Sequence, residues 1–522
     1  MAIQCGTIKD GCVTNIYKIF YSGLGLLLLV MLVGRNVAAQ PVTIPEQIAL
    51  GGGVAFTSGS SSHFYNPANL MIRTGSRSTQ ITLGMGGLYY SNGLSINELD
   101  QFPNQVQPYF IPASLPQQTV ATEEQLQKMF GNETRFFQTQ KYELIPFSLS
   151  WINNESARSV AFRTRGLSSF EMNRNWFLTD NEVSSNAYTE EDEPFNRFLN
   201  EKYQVYHEFS IGFAREVTMF NRWQAGLNTL LIGFSPKAIF AGMYSDVRYQ
   251  SNYTASNGMW ENTRQLQART SGDIDRYLFD LVFSDPAEQA YQNRFQKDSN
   301  LEINGYGIGL DAGLTYIIPL GDDLSLLSIN RAPLRKSLRF SFAITDLGLV
   351  RYNNNPGAWS SQTDPRTYEH LPDHTSLYFG HPGELFQYLG EDVSEHSIYE
   401  NIEKDDIYPF FVQLPTQLHL GTVFQYQWIS SMLDLNYRFN PSGFEAKGWL
   451  YSAGTELRLL DFLPLRGSIQ LSPDKLVSYG IGAALDLNFI YLSAAVRIMH
   501  PEDNEPGWYA NTVSALGLQI RI

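Results

Sequence analysis

The sequence predicts an all-β protein, a transmembrane antiparallel β-barrel of 14 strands with long external loops that carry short helices. Three observations predict this class. The chain of 522 residues contains 41 glycines and 13% aromatic residues, yet only 43% of it is hydrophobic. Many segments alternate apolar and polar residues with a period of two, as expected where one strand face meets lipid. After residue 39, no apolar run reaches the roughly 20 residues that a membrane-spanning helix needs.

Residues 1–39 have the features of a secretory signal peptide. Lys9 and Lys18 give a basic start, residues 24–33 form a short apolar run, and the small residues 37–39 suit a cleavage site. A membrane-spanning helix is the rival interpretation, but ten apolar residues are too few to cross a bilayer. We therefore expect this segment to direct secretion and to be removed.

Charge and cysteine content narrow the range of functions. The two cysteines, Cys5 and Cys12, both lie in the predicted signal, so we expect no disulfide and no thiol chemistry in the mature chain. Without residues 1–39, the 37 basic and 52 acidic residues become 34 and 51, a net charge of −17. An acidic chain of this kind argues against a nucleic-acid partner.

Alternation is clearest in the segments 306–318, 477–487 and 490–498, where apolar side chains occupy every second position. A soluble β-sandwich shows the same period, so alternation alone leaves both classes open. The order and spacing of the strands favour the membrane barrel.

The fifth predicted strand decides the strand count. It covers residues 222–251 and contains Ser235-Pro236, which could split it into a hairpin and give 15 strands. Proline is tolerated at a strand kink. One kinked strand gives an even count and puts every long connection on one side, as in bacterial barrels with periplasmic termini. The predicted strands are 78–90, 143–152, 157–166, 203–218, 222–251, 303–319, 336–352, 414–428, 431–440, 448–460, 465–472, 476–487, 489–499 and 510–522. The long connections are 91–142, 167–202, 253–302 and 353–413.

A stretch of small residues, 49–70, precedes the first strand and ends in Phe64-Tyr-Asn66-Pro67-Ala68-Asn-Leu70. It resembles the N-terminal hatch of the long-chain fatty-acid outer-membrane transporter family and its relatives in Bacteroidota, although Asn69 replaces the usual glycine. The resemblance implies a hatch at 40–77 inside a barrel at 78–522, and uptake of a hydrophobic or amphipathic small molecule. A flexible linker is the alternative. The candidate ligand or gating residues are Gly51, Gly52, Gly53, Phe64, Asn66, Pro67 and Ala68.

Three further motifs, 309–316, 344–349 and 415–421, resemble strand motifs of an uncharacterised barrel family from Bacteroidota outer membranes. They are short and structural, so they indicate a barrel lineage and no chemistry.

The predicted inward face of the barrel carries small and charged residues. Small positions leave room for an inserted hatch, although glycine in a strand also relieves curvature. These positions are Gly307, Gly309, Gly313, Gly480 and Gly482. Charges of both signs predict a polar ladder that braces the barrel and the hatch. The ladder candidates are Arg163, Asp311, Arg339, Asp434, Arg438, Asp486 and Arg497.

The external segments offer two further hypotheses. Helices predicted near 122–131, 274–283, 285–288 and 384–389 carry apolar stripes that either pack on the barrel rim or form a groove for an apolar ligand. The acidic segments 167–202 and 353–413 are interpreted as solvated surface, with divalent-cation capture as the alternative.

Catalytic signals are weak. His370, His374 and His381 cluster loosely without a helix to order them, and no nucleophile elbow, P-loop or dinucleotide motif is present. We therefore predict no enzyme activity, no metal site and no cofactor.

The last strand ends the chain at Ile522 and places Leu516, Leu518 and Ile520 on the same face. Barrel-assembly machinery commonly reads such an apolar last strand with a terminal aromatic, which Ile522 replaces here. We expect an outer-membrane protein with lipid, that machinery and a small hydrophobic ligand as partners. The alternative is a non-transporting outer-membrane component, such as a barrel associated with a secretion system.

Overall fold

The computed structural model describes residues 44–72, 78–92, 135–153, 156–177, 195–217, 229–256, 259–275, 302–320, 336–369, 403–404, 408–440, 443–444, 447–472, 476–501 and 512–522. In these residues the chain forms a closed antiparallel barrel of 14 strands, which confirms the predicted fold class and strand count. The predicted signal peptide, the three loop histidines and the predicted external helices lie outside the described residues, apart from the first two residues of the helix predicted at 274.

Fourteen of the described strands follow one another around the wall in chain order, and β6 and β9 to β12 extend the sheet beyond them. They are β1 (Thr79–Asn92), β2 (Arg135–Ile152), β3 (Ser156–Asn173), β4 (Phe195–Val217), β5 (Thr229–Ser256), β6 (Met259–Ser271), β7 (Gly305–Pro319), β8 (Lys336–Tyr352), β9 (Pro356–Gln362), β10 (Arg366–Tyr368), β11 (Glu403–Lys404), β12 (Phe410–Gln413), β13 (Gln417–Tyr426), β14 (Ile429–Arg438), β15 (Gly448–Leu460), β16 (Leu463–Leu471), β17 (Leu476–Asp486), β18 (Ile490–Pro501) and β19 (Thr512–Arg521). β1 pairs with both β2 and β19, which closes the barrel.

Five strands, β6 and β9 to β12, lie in segments that the sequence pattern assigned to loops, so this part of the prediction was wrong. The C-terminal half of β5, from Tyr244 onward, pairs with β6, and β6 pairs in turn with β9 and β10. Polar residues such as Arg264 and Asn262 occupy the buried face of β6, which removes the apolar alternation that marks a strand.

β5 is a single strand of 28 residues that runs through Pro236, as the kinked interpretation predicted. The N-terminal half of β5 pairs with β7, including Pro236 opposite Leu310. Proline has no N–H to donate, and on the other side of β5 the pairing with β4 is interrupted at this level.

The wall separates apolar and polar side chains by face. Leu88, Ile308 and Leu516 point outward and are 61%, 72% and 69% exposed, whereas the neighbouring Tyr89 and Ala515 are buried inside. This arrangement is typical of a barrel whose outer face meets lipid. Among the described helices, none is long and apolar enough to cross a membrane.

Residues 44–72, which we call the hatch, lie inside the barrel. They form an α-helix, α1 (Pro45–Leu50), and two 3₁₀ helices, Gly59–Ser62 and Pro67–Met71. α1 contacts β15 to β19, and the second 3₁₀ helix contacts β4, β5 and β7 on the opposite wall. We call the barrel end that carries Thr79 and Ile522 the terminal rim.

Candidate functional site

The wall beside α1 is built from glycines that let the hatch backbone come close. A Cβ added at Gly480 or Gly454 would lie 2.5 Å from the carbonyl oxygen of Ile48 or Leu50, far inside normal contact distance. At Gly482 it would lie 2.5 Å from the Cβ of Ala49. These three positions therefore accept only a residue without a side chain while α1 stays in place.

The other predicted small positions divide in two. Gly313 faces the hatch, because an added Cβ would collide with the side chain of Asn66. Gly307 and Gly309 do not face it, because the nearest atoms belong to β8 and to Leu414.

Asp434 on β14 holds the turn that follows α1. Its Oδ2 accepts hydrogen bonds from the backbone N–H groups of Gly53 and Val54, the latter at 3.0 Å. Gly51 and Gly53 have φ values of 79° and 152°, which side chains disfavour, and Gly52 packs directly on Asp434. A buried carboxyl group on the wall thus anchors a turn that depends on glycine.

Arg497 on β18 holds α1 itself. It donates to the carbonyl oxygens of Gln47 at 2.8 Å and Ile48 at 2.5 Å, and to Oε1 of Gln470 at 2.7 Å. Gln470 in turn donates to the carbonyl oxygen of Gly51 at 2.5 Å. The positive guanidinium satisfies carbonyls near the C-terminal end of α1, where they lack helical partners.

Asn66 and Asn69 tie the second half of the hatch to β7. Asn66 donates to the carbonyl oxygen of Val54 at 2.9 Å and to Oγ1 of Thr315 at 3.0 Å. Asn69 donates to the same carbonyl at 2.8 Å and accepts from Thr315 at 2.5 Å. Asn69, which stands where the hatch motif described above usually has glycine, therefore adds two hydrogen bonds. Pro67 and Ala68 lie directly over Gly233 of β5.

His63 is fully buried between two strands of the wall. Its Nδ1 and Nε2 lie 2.5 Å and 2.6 Å from the hydroxyls of Ser159 and Ser210. Burial, with smaller contributions from Lys237 and Arg163, lowers the pKa of His63 to about 3. The ring is therefore neutral and acts as a hydrogen-bonding brace between the hatch and β3 and β4.

Phe64 lies under a buried cluster of charges on the wall. The guanidinium of Arg163 lies 4.3 Å from the centre of the Phe64 ring, and the amine of Lys237 lies 5.9 Å from it. Arg163 pairs with Glu208 at 2.6 Å. Lys237 pairs with Asp311 at 2.8 Å and with Asp346 at 2.6 Å. Arg165 also belongs to this charged cluster, 2.7 Å from Asp346.

The charged cluster lies where the strand ladder of the wall is interrupted. Between β4 and β5, pairs are missing at residues 211–212 and 235–236. Between β7 and β8 the register shifts at Leu310, and Asp346 adopts a positive φ of 56°. The Asp346 N–H donates to the side-chain Oδ1 of Asp311 on β7 at 2.7 Å, in place of a backbone carbonyl. Side-chain charges thus replace part of the backbone pairing at this level.

A cavity of about 60 Å³ lies between the hatch and this wall, on the side away from the terminal rim. Its lining combines apolar side chains with charges of both signs. The lining includes Ile44, Gln47, Phe64, Tyr65, Lys141, Glu143, Ile145, Arg163, Arg165, Leu167, Tyr206, Asp346, Gln417 and Arg438. It can hold a small polar group or a few water molecules.

The seven ladder candidates lie at different places and do not form one row. Arg163 and Asp311 belong to the charged cluster, whereas Asp434 and Arg497 bind the hatch, as described above. Arg438 lines the cavity. Arg339 donates to Gln425 at 2.6 Å, and Asp486 pairs with Arg521 at 2.8 Å near the terminal rim.

Several residues of this site were missed by the sequence reasoning. Glu208 and Lys237 occupy inward positions of predicted strands, so extending the search for inward charges along the fourth and fifth strands would have found them. The alternation pattern does not identify Asp346 as an inward charge, because a bulge between β7 and β8 sets the direction of its side chain. Among the described residues, no group of three or more His, Cys, Asp or Glu side chains could hold a metal ion.

Comparison with known proteins gives one family match. The model of a family of unknown function, DUF5723, matches residues 78–495. No curated protein matches the chain.

Solved structures that resemble this one include one named as a channel and one named as a transporter. A TodX deltaS2S3 mutant monoaromatic hydrocarbon channel has 11% identity and a TM-score of 0.42, with 92% of this chain and 98% of that chain covered. The Ralstonia pickettii toluene transporter TbuX has 11% identity, a TM-score of 0.40 and the same two coverages. A Pseudomonas aeruginosa FadL homologue has 11% identity, a TM-score of 0.41, and coverages of 93% and 99%. Likenesses this remote say nothing about what the present chain carries.

Proposed function

We propose that this chain, which belongs to the DUF5723 family of unknown function, is an outer-membrane barrel that takes up an amphipathic small molecule from outside the cell. In this proposal the terminal rim faces the periplasm and the hatch closes the lumen. Barrel-assembly machinery inserts the chain by way of the apolar face of β19.

The observation that carries the proposal is the cavity above the hatch. It is floored by Phe64 and Ile44 from the hatch and lined on its sides by wall residues such as Arg165 and Glu143. A pocket that joins apolar and polar walls suits a molecule with a polar head and an apolar body. A brace between hatch and wall would need neither a cavity nor apolar lining.

The interrupted ladder supplies a route out of the lumen in this proposal. The wall at Pro236 lacks backbone pairing with β4, and hatch residues Pro67 and Ala68 lie against Gly233 just below it. Separating β4 from β5 at this level would break few backbone hydrogen bonds of the barrel, since ion pairs between side chains already replace some of these bonds. We propose that uptake requires the hatch to shift here.

The alternative is a non-transporting outer-membrane component, and a specific observation favours it. The hatch is buried almost throughout, with hydrogen bonds to opposite walls through Asp434, Arg497 and Thr315. A plug held so firmly would suit a barrel that serves as a rigid platform. The two functions differ in whether the hatch must move.

A disulfide that locks the hatch tests this difference. The hydroxyls of Ser60 and Thr82 lie 2.9 Å apart, so Ser60→Cys with Thr82→Cys places two sulfurs within bonding reach. The two native cysteines lie in the predicted signal, so the background should hold no other thiol. Passage is measured in whole cells with the fluorescent apolar amine N-phenyl-1-naphthylamine.

Uptake should be slow in the oxidised double variant and return to the parent rate after reduction. Each single-cysteine variant should resemble the parent under both conditions. Equal rates for the oxidised, reduced and barrel-free cells would reject uptake and favour the platform role.

A further inference from the structure

The cavity above the hatch contains buried polar atoms that have no hydrogen-bond partner within the described part of the chain. Two are donors, Nε2 of Gln47 and Nε of Arg165, and two are acceptors, Oε2 of Glu143 and Oε1 of Gln417. All four residues line the same cavity and are at least 91% buried. Buried polar groups are almost always hydrogen-bonded, so four such atoms around one space suit the binding of a polar group there.

The mixture of donors and acceptors limits the chemistry of that ligand. An apolar end would leave all four atoms unsatisfied, and a carboxylate would satisfy the donors alone while facing Glu143. A hydroxyl both donates and accepts, so two neighbouring hydroxyls can serve one donor and one acceptor each. Two of the arginines that line the cavity are already paired, Arg163 with Glu208 and Arg165 with Asp346, which reduces the need for a charged head.

We propose that the cavity binds an uncharged head with neighbouring hydroxyls, such as a glycerol end, of an amphipathic molecule. The apolar side chains of Ile44, Phe64 and Leu167 contact the part of the molecule that adjoins this head. A volume of about 60 Å³ accommodates a head of a few heavy atoms and no more. The inference rests on the proposed uptake role, because it names the class of molecule that would occupy the same site.

The test compares three ligands that share one chain and differ in the head: 1-hexanoyl-glycerol, methyl hexanoate and hexanoate. Binding to the purified full chain is measured by calorimetry in an amine-oxide detergent, which carries no hydroxyl-rich head of its own. The glycerol ester should bind on the order of ten- to a hundredfold more tightly than the methyl ester, because only its hydroxyls satisfy the buried atoms.

A double variant tests the assignment to these residues. Gln47→Leu with Gln417→Leu removes one donor and one acceptor, so the preference for the glycerol ester over methyl hexanoate should fall at least tenfold. Gln267→Leu, on the exposed face of β6, is the matched control and should keep the full preference. Retention of the mobility shift between unheated and heated samples on gels shows that each variant is folded.

Equal binding of all three ligands to the parent protein would overturn the inference, since water alone would then fill the cavity. Tightest binding of hexanoate would overturn it in favour of an anion site, and a preference that survives in the double variant would move the site elsewhere. These outcomes are separate from the uptake assay. Head-group selectivity without uptake rejects the proposed function alone, and uptake without selectivity rejects this inference alone.

Discussion

Replacing Asp434 by alanine should loosen the hatch while the barrel stays folded. The carboxylate accepts two buried backbone N–H groups, from Gly53 and Val54, and both lose their partner in the variant. Each buried donor left unsatisfied costs about 1–3 kcal/mol. The free energy needed to open the hatch turn should therefore fall by about 2–6 kcal/mol, whereas the strand ladder that holds the barrel together is unaffected.

Asp434→Asn gives a graded comparison. Both N–H groups bond to the same oxygen, so an amide oxygen in that place keeps both hydrogen bonds. This variant should therefore lose less of the hatch's stability than Asp434→Ala. Asp486→Ala removes a matched carboxylate that pairs with Arg521 near the terminal rim, and serves as the control.

The assay is hydrogen exchange of peptides covering residues 50–56, read by mass spectrometry on the purified barrel. A loss of 2–6 kcal/mol corresponds to exchange faster by about 30-fold to 10⁴-fold in Asp434→Ala, with a smaller effect in Asp434→Asn. Unchanged exchange in Asp434→Ala would refute the anchor, and equal acceleration in Asp486→Ala would show a general loss of barrel stability.

Two further predictions concern the seat of the hatch and the orientation of the chain. Gly480→Leu should expel α1, because its Cβ would lie 2.5 Å from the Ile48 carbonyl, and should raise small-solute passage in cells. Gly467→Leu, where the nearest atom lies 3.9 Å away, should leave passage at the parent level, and equal effects of both would contradict the assigned seat. For orientation, a cysteine at Gln265 on β6 should react with an impermeant thiol reagent on intact cells, whereas one at Asp461, in the turn between β15 and β16, should react only after the outer membrane is opened. The reverse pattern would invert the proposed topology.

The strand count could be predicted from the sequence because the outer face of the wall is rich in apolar side chains. Alternation at 306–318 or 477–487 reflects that face, and turn spacing gives the order. β6 was missed because its buried face carries Asn262 and Arg264, which pack away from lipid. The period of two is then still present in burial but absent from hydropathy.

The site was only partly accessible to sequence reasoning. Asp434 and Arg497 were found as inward charges, yet nothing local indicates that they contact hatch residues about 380 to 450 positions away. The bulge at Asp346 and the pairing of Glu208 with Arg163 depend on register between distant strands. Long-range register is not encoded in any short window of residues.

Deleting residues 45–68 tests the central claim, that the hatch plugs this barrel, most directly. The deletion removes α1 and the turn held by Asp434 but leaves the strands intact, so the barrel should still assemble and keep its heat-modifiable mobility on gels. Conductance in planar bilayers then reports the state of the lumen. We predict a closed parent and a conducting deletion variant. An assembled deletion variant that remains as impermeable as the parent would contradict the plug and the uptake role that depends on it.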